Sequence, residues 1–142
     1  MSEMVDKITN AWTRAWSHGE TKAFEDLVGE SYTRQSKTGQ EALEQVIGQI
    51  EDSHRAFSDF SMQILRAVEG ENEVAIHWRS EGRHTGEFMG VPPTGREVTV
   101  SGASFIRYKD GRITDEDVVW DPREMLSAMS IWHLGDQRRK KQ

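Results

Sequence analysis

The chain has no cysteine at all, and only three prolines and two tyrosines among its 142 residues. Without thiols there can be no disulfide, Cys-ligated zinc, iron–sulfur cluster or thiol nucleophile. No apolar run approaches the roughly 18 residues a membrane-spanning helix needs. Residues 1–25 also lack the apolar core of a signal peptide, and the polar start Met1–Lys7 points to the cytoplasm. Basic charge is short too: 18 Lys and Arg stand against 24 Asp and Glu, a net charge of −6. A concentrated basic face, which sequence-independent nucleic-acid binding requires, is therefore not expected. The one basic cluster, Arg138–Lys141, has no apolar partners and reads as a solvated terminus. The five histidines (18, 54, 77, 84 and 133) form no HxH or HExxH pattern, so no metal is expected. There is no GxGxxG, P-loop or serine elbow either, which leaves nucleotide cofactors and acyl-serine chemistry without support.

What is present suits one soluble domain. Hydrophobic residues make up 35% of the chain and charged residues 30%, with a mean hydropathy of −0.72. The length allows a single core and is short for two. Val5, Ile8, Trp12, Ala15 and Trp16 recur at helical spacing and predict a first helix over 3–17, ended at Gly19. Phe24 and Leu27 predict a short second helix, closed near Gly29. A third helix is predicted to open at Thr38 or Gly39, with the stripe Leu43, Val46, Ile47 and Ile50 continued by His54 and Phe57. The period then changes. Phe60, Met62, Ile64 and Val68 alternate as a strand, and Val74, Ile76 and Trp78 as a second one reaching His84. Residues 97–108 and 112–120 read as two more strands joined by an Asp110-Gly111 turn. Asp121-Pro122-Arg123-Glu124 has the order of a helix start, with Asp as cap, before a short helix to about Trp132. Helices first and an antiparallel meander after them make an α+β fold. It forms one domain over residues 1–135, and 136–142 is a basic tail.

The most specific stretch runs from Trp78 to Ile113. It contains Trp78, Gly82, His84, Gly86, Phe88, Gly90, the run Pro92-Pro93-Thr94-Gly95, Arg107, Asp110, Gly111 and Ile113. In this register the stretch resembles the SnoaL-like polyketide cyclases, or ester cyclases, of the nuclear transport factor 2-like superfamily. Residues 12–34, with Trp16, Phe24 and Tyr32, fit the same family more loosely. The resemblance implies a cone-shaped α+β barrel: N-terminal helices pack on a curved, mainly antiparallel sheet around one open hydrophobic pocket. It also implies a homodimer formed through the sheet, whose outer face carries His77, Arg79, Glu81 and Arg83. The expected reaction is cofactor-free acid–base chemistry on a hydrophobic carbonyl compound. Intramolecular aldol cyclisation heads that class, with isomerisation, dehydration and hydrolysis as related outcomes.

Two positions depart from the family pattern. Relatives commonly carry His, one residue, then the catalytic carboxylate after the Asp-Gly turn. Counting from Gly111 puts Glu116 at the His position and Val118 at the acid position. Either Glu116 supplies the acid two residues early, or a one-residue bulge turns Asp117 inward. Gln35 stands where relatives often place His. The resemblance makes His84 a donor or acid at the pocket mouth; the plainer reading is a loop anchor. Trp16, Trp78, Phe88, Val118 and Trp120 are the expected pocket walls, with Trp12 and Trp132 as further large aromatics. Tyr32 and Gln35 are the expected hydrogen-bonding groups. The alternative to an enzyme is a non-catalytic binder of a hydrophobic small molecule that has lost the acid.

Overall fold

The computed structural model describes residues 2–37 and 39–129. Helix α1 (Glu3–His18) is capped by the Ser2 hydroxyl, which accepts from the Val5 N–H, and stops at Gly19, whose φ of 73° lets its own N–H return to the Ala15 carbonyl and the Glu20 N–H to the Arg14 carbonyl. Its buried face is Val5, Ile8, Ala11, Trp12, Ala15 and Trp16. The short α2 (Thr21–Glu25) buries Phe24. Strands β1 (Val28–Ser36) and β2 (Gly39–Ala42) follow, and only then α3 (Leu43–Ala56). The helix expected from Thr38 or Gly39 thus begins at Leu43, and Gly39 belongs to a strand; Thr38 lies outside the described residues. Gln45 fixes the true start, its side-chain oxygen accepting from the Ala42 N–H at 2.8 Å.

Strands β3 (Phe57–Gly70), β4 (Glu73–His84), β5 (Glu97–Lys109) and β6 (Arg112–Trp120) form the expected meander, and α4 (Pro122–Ala128) closes it. Asp110 and Gly111 both sit at positive φ, 52° and 79°, as the β5–β6 turn requires. Asp121 caps α4 by accepting from the Arg123 N–H. The predicted end of that helix near Trp132, the domain limit at 135 and the basic tail lie outside the described residues.

Among the described residues the sheet has six strands in the order β2-β1-β6-β5-β4-β3, all neighbours antiparallel except β1 with β6. Four strands were expected from the sequence; β1 and β2 are the addition. Helices α1 and α3 pack on β3, α3 also reaches β1 and β2, and α4 lies against β5. The result is an α+β cone. No helix among the described residues is long and apolar enough to cross a membrane.

The ladder between β5 and β6 carries one irregularity. Arg107 pairs with Asp115, but the next pair is Tyr108 with Ile113, so Thr114 is an extra residue on β6. Its hydroxyl donates to the Arg107 carbonyl. The bulge reverses the facing of every later residue: Ile113 points in, and so do Glu116 and Val118.

Candidate active site

A cavity of about 380 Å³ opens between the helices and the sheet. Most of its wall is apolar, built from Trp12 and Trp16 of α1, Phe57 and Phe60 of β3, Trp78 of β4, Val98 and Val100 of β5, Val118 and Trp120 of β6, and Met125 of α4. Its polar lining includes Glu116, Ser104, Arg34, Glu41 and Gln49, joined by Ser36, Lys37, Asp52, Ser53 and Ser80. Phe88 and Met89 reach it from the loop before β5. Of the residues expected as walls, Trp16, Trp78, Phe88, Val118 and Trp120 all border this space.

Glu116 is only 2% exposed. The Tyr32 hydroxyl donates to its Oε1 at 2.9 Å, and Tyr32 is itself packed edge-on to Phe24. Burial pushes the Glu116 pKa above its ordinary 4.5, while Arg34, the Tyr32 bond and the Ser104 hydroxyl pull the other way. Ser104 in turn accepts from Trp78 Nε1 at 3.2 Å. Tyr32 is held neutral, first by burial and then by the neighbouring Glu116 charge, both of which raise its pKa. A carboxyl whose pKa burial raises holds its proton more tightly than an exposed one and is the stronger base once ionised.

The other expected residues are elsewhere. Asp117 faces away from the cavity and pairs with Arg107 Nη2 at 3.0 Å. The bulge at Thr114 spends its shift in bringing Glu116 inward, so Asp117 lands on the opposite face. Asp115 shares that arginine, whose hydrogen bond holds the Asp115 pKa below the usual carboxylate range. Gln35, in register with Asp117 across β1 and β6, is also exposed. Tyr32 reaches the site only through Glu116 and is not itself a wall.

His84 is fully buried at the end of β4, with its ring against Phe57 (5.4 Å between centroids). Phe57 and Phe88 border the cavity, and His84 does not. Its Nδ1 accepts from the Thr94 N–H at 3.2 Å and lies 3.0 Å from the Thr94 hydroxyl. Backbone bonds from His84 to Arg96 and from Gly95 to His84 clamp the same loop. Nε2 is buried without a hydrogen bond of ordinary geometry among the described residues. Burial lowers the ring's pKa from 6.5, against a smaller opposing pull from the Gly86 backbone. In this position the ring ties down the Pro92–Gly95 turn. His84→Ala is expected to cost about 3 kcal/mol in denaturant unfolding, from the void and the orphaned Thr94 N–H. A loss under about 1 kcal/mol would rule out that anchoring role.

Sequence reasoning missed Arg34, Glu41, Gln49 and Ser104. Residues 28–42 carry no apolar alternation because two of the inward positions are charged; the spacing of Tyr32 and Arg34 was the only available signal. Among the described residues no three His, Asp or Glu side chains converge as a metal ion would require.

A family model described as SnoaL-like polyketide cyclase matches residues 6–129. No curated protein matches the sequence. Among solved structures the chain is similar to AclR of Streptomyces galilaeus, labelled a candidate hydroxylase, at 22% identity and a TM-score of 0.79, covering 90% of this chain and 98% of that one. IdmH of Streptomyces antibioticus, labelled a candidate polyketide cyclase, is 24% identical with a TM-score of 0.79 over 92% and 100% of the two chains. TsrD of Streptomyces laurentii is 15% identical with a TM-score of 0.81 over 91% and 97%. At these identities the likeness shows the shared cone.

Proposed function

The chain belongs to the SnoaL-like polyketide cyclase family, and from that premise we propose that it is a cofactor-free acid–base enzyme acting on a hydrophobic carbonyl compound. The observation that carries this reading is Glu116: a buried carboxyl in an aromatic cavity, oriented by Tyr32 and Ser104. Glu116 removes a proton next to the substrate carbonyl and returns it later in the cycle. Intramolecular aldol closure of a polyketide-type ester fits best, because one base and a dry, shaped space suffice for it. Isomerisation, dehydration and hydrolysis use the same first step. The test is α-proton exchange of flat enolisable ketones such as 2-tetralone in D2O, followed by NMR. Exchange above the buffer rate is expected. Tight binding with exchange no faster than buffer across such ketones would instead favour a non-catalytic binder of the same cone.

We also propose that the protein works as a homodimer through the outer face of the sheet. Val68, Phe105 and Val119 are exposed there, and Val119 lies opposite Ala103 across β5 and β6. Placing a charge in such a patch opposes its burial. Light scattering should therefore give a dimer for the wild type and a monomer for Val119→Asp; a wild-type monomer overturns this.

A further inference from the structure

Three ionisable side chains stand in one row across the inner face of the sheet. Arg34 on β1 pairs in register with Glu41 of β2 on one side and with Glu116 of β6 on the other. All three are buried, at 6%, 8% and 2% exposure. A buried guanidinium needs a partner, and Glu41 supplies it: Arg34 Nε donates to Glu41 Oε1 at 3.0 Å. Gln49 of α3 closes the ring, accepting from Arg34 Nη2 and donating to the second Glu41 oxygen. The guanidinium also lies 5.7 Å from the centre of the Trp16 ring. Two of its three nitrogens are thus tied to protein. The third, Nη1, donates to nothing among the described residues, on a side chain that borders the cavity.

A cation braced on one side and open on the other is a fixed donor aimed at incoming charge. Several other donors near the cavity are otherwise engaged, whereas the neutral Trp12 N–H has no partner among the described residues and the exposed Lys37 also lines the space. The Tyr32 hydroxyl is given to Glu116, the Trp78 N–H to Ser104, and His84 stands behind Phe57. We propose that Arg34 is a second catalytic residue of this cavity, its Nη1 donating to the substrate carbonyl oxygen and stabilising the negative charge that forms there. This role rests on Glu116 being the base. In the step concerned, the C–H bond next to the carbonyl breaks and its proton goes to the Glu116 carboxylate. The electron pair moves through the new C=C bond onto the oxygen facing Arg34. In ring closure that pair forms the C–C bond to a second carbonyl carbon, and Glu116 returns its proton to the resulting alkoxide.

The test uses substituted 2-naphthols, flat enolate mimics whose ultraviolet absorption separates naphthol from naphtholate. They are titrated into wild type, Glu116→Gln, Arg34→Lys and the charge-neutral pair Arg34→Met/Glu41→Met. Wild type and Glu116→Gln should bind the naphtholate in preference to the naphthol. Arg34→Lys and the double variant should lose that preference by ten- to hundredfold, the range for a charged hydrogen bond, while holding neutral naphthol as before. Because the lysine keeps the buried pair charge-balanced, it decides the matter if the double variant fails to fold. Equal losses for both forms, unchanged preference in Arg34→Lys, or no naphthol bound by folded wild type would each overturn the role of Arg34. Failure of the Glu116 reading shows separately, as α-proton exchange that survives in Glu116→Gln.

Discussion

Glu116→Gln is expected to slow α-proton exchange, and any turnover it leads to, by roughly 10²- to 10⁴-fold, the contribution of a positioned general base. The substitution changes one atom. The Tyr32 hydroxyl can still donate to the amide oxygen, so the cavity keeps its shape and the loss is chemical rather than structural. Stability should move the other way with pH. Folding raises the Glu116 pKa above 4.5, so the folded state holds that proton more tightly than the unfolded state. Stability conferred by the neutral acid is then fully present below 4.5 and declines as pH rises toward the folded value. Tyr32 and Ser104 face the group, as do Arg34 and, one strand further, Glu41. Glutamine cannot titrate. The difference in unfolding free energy between Glu116→Gln and wild type should therefore grow in favour of the variant as pH climbs from 4.5. A difference that stays flat with pH would mean that Glu116 is not desolvated, and exchange persisting in the variant would remove it as the base.

A large loss of stability is also expected at a residue with no side chain. Gly102 sits between two tryptophans in one row across the sheet, in register with Trp78 on β4 and Trp120 on β6. A Cβ there would stand 2.5 Å from Trp78 Cζ2 and 2.6 Å from the Val119 carbonyl oxygen. The carbonyl belongs to the ladder, and the indole is held at Nε1 by Ser104, so neither yields cheaply. Gly102→Ala should cost about 3 kcal/mol, the upper end for overpacking, and lower Tm by roughly 10 °C in a chain of this size. Trp78 is a cavity wall, so tryptophan fluorescence should shift as well. A melt within about 1 °C of wild type would show that Trp78 does not lie across Gly102.

How far the sequence could be read depends on which residues face inward. In α1 the inward positions are Val5, Ile8, Trp12 and Trp16, and in β4 they include Val74, Ile76 and Trp78, so apolar periodicity marked both. Asp110-Gly111 and Asp121-Pro122 carry their own local chemistry and needed no tertiary context. β1 and β2 failed the same reading because Arg34 and Glu41 occupy inward places where a strand usually shows aliphatics. The site and the missed strands are thus one omission: polar residues positioned for chemistry erase the pattern that would reveal their strand. Glu116 itself was legible as an acid on the last strand, but the choice between it and Asp117 depended on a bulge that spacing alone does not reveal.

The extra residue at Thr114 also bears on how such a protein could change over generations. Beyond it, the identity of the inward acid depends on counting, because neighbouring positions 115, 116 and 117 are all acidic. Loss of the Thr114 codon would leave a regular ladder with Ile113 and Glu116 still inside. Gain of one codon between 115 and 116 would instead export Glu116, Val118 and Trp120 and bring in Asp117 and Val119. One small indel would therefore exchange a longer acid for a shorter one and strip an indole from the cavity, with no point substitution at any of those positions. In β6 the heritable variable is spacing.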